Sequence, residues 1–209
     1  MQSAQADKKR IVGIDLGGRT TAKTAVCVLH NRRALVHQAH EVAKRSKEDD
    51  DEFVDFVLSL NPDVIAIDAP LCLPALTNAH YSFRPADRLA GAMSPWQIGP
   101  LTARGLYLLH CFNEQAPRVQ VVEVYPKLVL QHHACHEKGY KQNPRLLLKI
   151  VRAMQQAYGV KTNEFDGSNE HNTDSLLCAL AGWHFAAKLF KNLHDGSAHQ
   201  NAPVFVQPS

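Results

Sequence analysis

The spacing of apolar positions changes along the chain, and the changes mark its elements. Residues 10–16, 24–30 and 34–39 read as three strands in close succession, linked through Gly17-Gly18-Arg19-Thr20-Thr21 and Asn31-Arg32-Arg33. Links this short join antiparallel neighbours, so the three form a meander. A helix follows. Phe53, Phe56, Val57 and Leu60 recur at helical spacing, the acids at 48–52 suit its N-terminal end, and Asn61-Pro62 stops it. Residues 64–67 are continuously apolar and end at Asp68-Ala69-Pro70. That is the pattern of a strand covered on both faces, and such strands are usually parallel. Residues 119–124 read as another buried strand and end at Tyr125-Pro126. Helices are predicted over 101–114, 127–137 and 144–158, then a polar loop over 159–170, the longest amphipathic helix over 173–190, and a last short strand over 202–206.

Between these elements, residues 69–99 show little periodicity and hold Pro70, Pro74, Pro85, Gly91, Pro95 and Gly99. A loop of that length inside a domain usually serves function. Residues 1–9 read as a flexible polar tail. The order predicts an α/β domain over 10–209: a mixed five-stranded sheet, three antiparallel strands then parallel ones, flanked by helices.

Composition narrows the class. The chain has 209 residues, 45% hydrophobic and 21% charged, which suits one soluble domain that folds without a disulfide or metal framework. No apolar run is long enough to cross a membrane, and the polar start lacks the apolar core of a signal peptide. Cys27, Cys72, Cys111, Cys135 and Cys178 are scattered and odd in number, as in reduced cytoplasmic proteins. The net charge of +3 conceals an acidic block at 48–52; beyond it 15 acids face 23 bases, an excess of eight that is compatible with a polyanionic partner.

Four acids stand where carboxylates are costly. Asp15 follows Ile11-Val12-Gly13-Ile14, and alternation puts it on one face with Ile11, Gly13 and Gly17. Asp68 ends the buried strand at 64–67, Glu123 lies in the apolar strand at 119–124, and Asp174 shares the inward stripe of the last helix with Leu177, Cys178 and Ala181. An ionised carboxylate in such a place needs a partner or a cation. His171, one turn before Asp174, would present a second ligand on the same face. Each acid has a plainer explanation: Asp15 or Asp68 in a turn, Glu123 on an edge strand, Asp174 as a helix cap shared with Asn172 and Thr173. If the elements adjoin, the carboxylates converge, and oxygen ligands of this kind suit Mg²⁺ or Mn²⁺.

The order of strands and acids resembles the ribonuclease H-like fold, including the Holliday-junction resolvases. More closely, the chain resembles the predicted RNase H-like nucleases, also called domain of unknown function 429. The matching segments are Gly13-Ile14-Asp15, Ile67-Asp68-Ala69-Pro70, Arg84-Pro85-Ala86-Asp87-Arg88, Glu123-Val124-Tyr125-Pro126 and the stretch from His171 to Leu180. One position departs, since Asp68 stands where resolvase-type sites carry glutamate. The resemblance implies a metal-dependent nuclease that hydrolyses phosphodiester bonds in nucleic acid. It implies Asp15, Asp68 and Asp174 as ligands of two Mg²⁺ or Mn²⁺ ions, with Glu123 as a fourth acid and His171 as a ligand or proton shuttle. Arg84, Asp87 and Arg88 would lie over the site as phosphate-contacting or structural residues. Lys127 or Arg104 could contact phosphates, but position alone does not single them out.

Two other readings use the same residues. Residues 14–21 resemble the first phosphate loop of the sugar kinase and actin superfamily, which implies an ATP-dependent phosphotransferase; against it, no second such loop and no adenosine-binding segment is present. The second is a non-catalytic binding module on the same fold. Two further clusters carry a weaker signal. His132, Cys135 and His136 would share one face of a helix over 127–137, as a zinc site does. The basic clusters at 8–10 and 44–47 read as solvated charge.

Overall fold

The computed structural model describes residues 2–18, 23–37, 50–74, 82–162, 167–194 and 203–209. The basic cluster at 44–47 and most of the Gly17–Thr21 link lie outside them. The elements are α1 (Gln2–Asp7), β1 (Ile11–Asp15), β2 (Ala25–His30), β3 (Arg33–His37), α2 (Asp50–Ser59), β4 (Val64–Ile67), α3 (Pro85–Ala90), α4 (Gly99–Gln115), β5 (Gln120–Glu123), α5 (Pro126–His132), a 3-10 turn (Tyr140–Gln142), α6 (Pro144–Tyr158), β6 (Lys161–Thr162), α7 (Glu170–Ala186), β7 (Phe190–Asn192) and β8 (Val206–Pro208).

The sheet has six strands in the order β5-β4-β1-β2-β3-β6. β1 pairs antiparallel with β2, and β2 with β3, while β1 with β4, β4 with β5, and β3 with β6 are parallel. The mixed sheet is as expected, but with a sixth strand. The polar stretch after α6 contributes β6, because Gly159 at φ 63° turns the chain and Lys161 N donates to Arg32 O at 2.8 Å. The last short strand falls at β8 rather than 202–206, and it pairs with β7 in a separate two-stranded sheet.

Alternation sorts the strand residues into two cores. Val12, Ile14, Leu16, Val26, Ile65 and Ile67 pack against Phe53, Val54 and Val57 of α2 and Leu108 and Phe112 of α4. Ile11, Cys27, Leu29, Val64, Ala66 and Val122 face α5, α6 and α7. Residues 172–182 of α7 are all buried. This helix is not the amphipathic surface helix its stripe suggested, because the sheet covers one side and α5, α6 and β8 cover the other. It also ends at Ala186, four residues early.

Other elements differ from the pattern for local reasons. The N-terminal residues are not a loose tail: Ala6 of α1 is buried, and Asp7 accepts from Trp183 Nε1 at 2.9 Å and pairs with Arg32 Nε at 2.7 Å. The segment 69–99 contains α3, opened by Pro85 and closed by Gly91 at φ 60°. α5 stops at His132, not at 137. Among the described residues, no helix is long and apolar enough to cross a membrane.

Candidate active site

β1 and β4 run parallel in register, Ile14 beside Ile67, so Asp15 and Asp68 emerge together at their carboxyl ends. Ligand sites of open α/β sheets gather at such ends. Asp15 lies on the face that carries α7, two positions after Gly13. A Cβ on Gly13 would lie 2.2 Å from Ala179 N and 2.4 Å from Ser175 O, so the missing side chain is what lets α7 lie directly on β1. That close approach brings Asp174 and His171 to the strand ends. His171 Nδ1 is 2.7 Å from Asp15 Oδ2. Asp174 is not the cap of its helix. Thr24 Oγ1 accepts from Gly17 N at 3.2 Å, and Asn169 caps α7 by accepting from His171 N at 2.9 Å.

Asp174 is fully buried. Tyr140 Oη donates to its Oδ1 at 3.1 Å, and Lys141 Nζ lies 2.5 Å from its Oδ2. Burial and the nearby Asp15 charge push Asp174 up to about 6, against the pull of Lys141. Burial, Asp15 and Asp174 together hold Asp68 well above the usual carboxylate range. The hydrogen bond to Asp15 outweighs burial and raises His171 above an ordinary histidine. The protein alone therefore does not hold three ionised aspartates here without strain, and a divalent cation would relieve their repulsion. Hard oxygen ligands of this kind fit Mg²⁺ or Mn²⁺. The fit is loose, since oxygen atoms of the three carboxylates do not all lie within 4.8 Å of one another.

Two connected depressions meet at this point. One, with a volume of about 290 Å³, is lined by Asp15, Asp68, Met93, Ile98, Tyr125 and Lys141. The other, of about 340 Å³, shares Asp68, Tyr125 and Lys141 and continues along Lys127, His136 and Lys138.

Glu123 ends β5 beside these residues but is committed elsewhere. Arg84 Nη1 and Nη2 donate to its two oxygens at 2.7 and 2.6 Å, and Leu71 N donates to Oε2 at 2.9 Å. Arg84 also donates to Asp87 through Nη2 at 2.5 Å and Nε at 3.0 Å, and to Cys72 O at 3.2 Å. Its five donor hydrogens are thereby all engaged inside the protein. Arg84 and Asp87 thus form a buried latch between α3 and β5, the structural one of their two expected roles, with no donor left for phosphate. Against burial, the nearby His194, with Nε2 3.7 Å from Oε2, and hydrogen bonds from Arg84 hold Glu123 below its ordinary range. Arg88 is exposed, with its guanidinium over Phe83. Lys127 lies over Tyr125 in the second depression. Arg104 faces no phosphate path: it is buried and donates to Asp50 at 3.0 Å and to Gly17 O at 2.6 Å, bracing the turn after β1.

Tyr140 and Lys141 have no signal in the sequence, because a 3-10 turn far along the chain is carried to α7 by tertiary packing. The weakly signalled zinc face of His132, Cys135 and His136 does not form either. The helix ends at His132, and Cys135 Sγ donates to His133 O at 3.2 Å.

Comparison with protein-family models, with curated proteins and with solved structures returned no match.

Proposed function

We propose that the chain is a ribonuclease H-like, Mg²⁺- or Mn²⁺-dependent nuclease that hydrolyses phosphodiester bonds. The observation that carries this reading is that Asp15, Asp68 and Asp174 converge within reach of one another's charge, from two parallel strand ends and the helix across them, in a sheet ordered β5-β4-β1-β2-β3 at its core. Asp15, Asp68 and Asp174 would hold the metal, and Glu123 is left to the Arg84 latch. When bound, the metal supplies Lewis acidity to a phosphate and to an attacking water. The residues of the chain do the rest. Asp15 orients His171 through Nδ1, and the raised affinity of that ring for a proton suits it to deliver one to a leaving oxygen. Lys141 offsets the negative charge around Asp174 and stands where the two depressions join. Lys127 and Lys138 extend positive charge away from the acids, along a path that fits a phosphate backbone.

The test is calorimetric titration of Mn²⁺ and Mg²⁺ into the wild type and Asp15→Asn, followed by cleavage of single-stranded, duplex, hybrid and branched oligonucleotides. The expected result is metal binding and cleavage that Asp15→Asn abolishes. Cleavage unchanged in Asp15→Asn would overturn the reading.

A further inference from the structure

A second cluster of ligating side chains lies on the far part of the α5–α6–α7 layer and has no part in the proposed reaction. His132 ends α5, His133 follows it, and His184 projects from α7. Ligand atoms of all three lie within 4.8 Å of one another. Consecutive residues inside a helix point apart. Here α5 stops at His132, which lets the two neighbouring rings converge with centroids 4.8 Å apart. His132 also meets His184, at 5.3 Å between centroids.

The hydrogen bonds fix which nitrogens are available. His184 Nδ1 is 2.9 Å from Leu189 O. A carbonyl only accepts, so Nδ1 carries the proton and Nε2 keeps its lone pair. A backbone carbonyl on the far nitrogen is the usual orienting partner of a metal-ligating histidine. Tyr158 Oη is 2.7 Å from His184 Nε2 and 2.7 Å from His133 Nε2. Its single proton goes to His184 Nε2, so His133 Nε2 donates to the phenol oxygen; His133 keeps Nδ1 unprotonated and unoccupied, while the Nε2 lone pair of His184 is held by the phenol proton and becomes a ligand when a cation replaces that hydrogen bond. Tyr158 thus holds the two rings together. Burial, with His132 and His133 nearby, keeps His184 neutral at ordinary pH. Trp183 packs edge-on against His184 at 5.4 Å and limits access from one side.

We propose that His132, His133 and His184 form a binding site for a late first-row divalent cation, of which Zn²⁺ is the representative. Neutral imidazoles suit Zn²⁺, Ni²⁺, Co²⁺ or Cu²⁺ and disfavour Mg²⁺ or Mn²⁺, which separates this site from the carboxylates. Three histidines leave a fourth position for water or for the Tyr158 hydroxyl. The exposed His132 ring closes the site, and the bound ion ties the end of α5 to α7.

The test uses the untagged full chain stripped of metal. Co²⁺ titration should give one equivalent per chain with the visible absorption of four-coordinate cobalt, and Zn²⁺ should displace it. A hundredfold excess of Zn²⁺ over its Kd should raise Tm by about 5 °C or more. His132→Asn, on the surface, should weaken binding at least tenfold, and His184→Gln should abolish it. Asp15→Asn should bind as the wild type does, whatever becomes of the proposed nuclease. No cobalt spectrum in the wild type, unchanged affinity in His132→Asn, or loss of binding in Asp15→Asn would each overturn the assignment. If His184→Gln fails to fold, the His132→Asn result decides alone.

Discussion

Gly13→Ala adds one methyl group at the closest contact between the sheet and α7. Its Cβ would meet Ala179 N at 2.2 Å, Ser175 O at 2.4 Å and the Ala179 Cα at 2.7 Å. All three are backbone atoms of one helix, so no side chain can turn aside. Restoring ordinary contact requires α7 to move about 1 Å from β1, and a gap of that size forfeits a quarter to a half of each attractive contact along the interface. The interface is large, since Leu176, Leu177, Ala179, Leu180 and Ala181 are all buried. Overpacking of this kind costs about 3 kcal/mol. Against a total stability of about 5–15 kcal/mol, that is a large fraction, and it corresponds to a fall in Tm of about 6–12 °C. The retreat also carries Asp174 and His171 away from Asp15, so Mn²⁺ affinity should fall with stability. Urea unfolding and calorimetry measure the first effect, and metal titration the second. Gly99→Ala is the control, because a Cβ there meets nothing within 4 Å. A Gly13→Ala protein within about 1 kcal/mol of the wild type would refute the steric argument.

Two other outcomes follow from the buried charges. Arg84→Ala leaves Glu123 and Asp87 buried without their guanidinium and should destabilise by about 3–5 kcal/mol in urea unfolding; Arg84→Lys should rescue little, since an ammonium cannot span both carboxylates. A loss below about 1 kcal/mol in Arg84→Ala would contradict the latch. Asp174 takes its proton more readily folded, at about 6, than an unfolded aspartate near 3.9 does. The native state therefore binds more protons between those values, and this residue makes stability fall as pH rises from about 4 to about 6. In the presence of chelator, Asp174→Asn should be more stable than the wild type by about 2 kcal/mol above pH 6, with the gain vanishing below pH 4. A difference that does not change with pH would show that Asp174 is not held under that burden.

The sequence by itself determined the five strands β1 to β5. Alternation through Ile11-Val12-Gly13-Ile14-Asp15 is local, so it put Asp15 on one face with Ile11 and Gly13, and the continuous apolar run Val64–Ile67 put Asp68 at the end of a buried strand. The apolar stripe put Asp174 near the start of the last helix, and the earlier start at Glu170 brings His171 onto it. Only the tertiary structure decided what those groups meet. Tyr140 reaches Asp174 across 34 residues, Arg84 reaches Glu123 across 39, and His171 reaches Asp15 across 156. No periodicity reports such pairings, because they depend on how helices settle on the sheet. The contact at Gly13 sets the height of α7, the latch withdraws Glu123 from the cluster of acids, and the early end of α5 gathers His132 and His133 with His184 instead of Cys135 and His136.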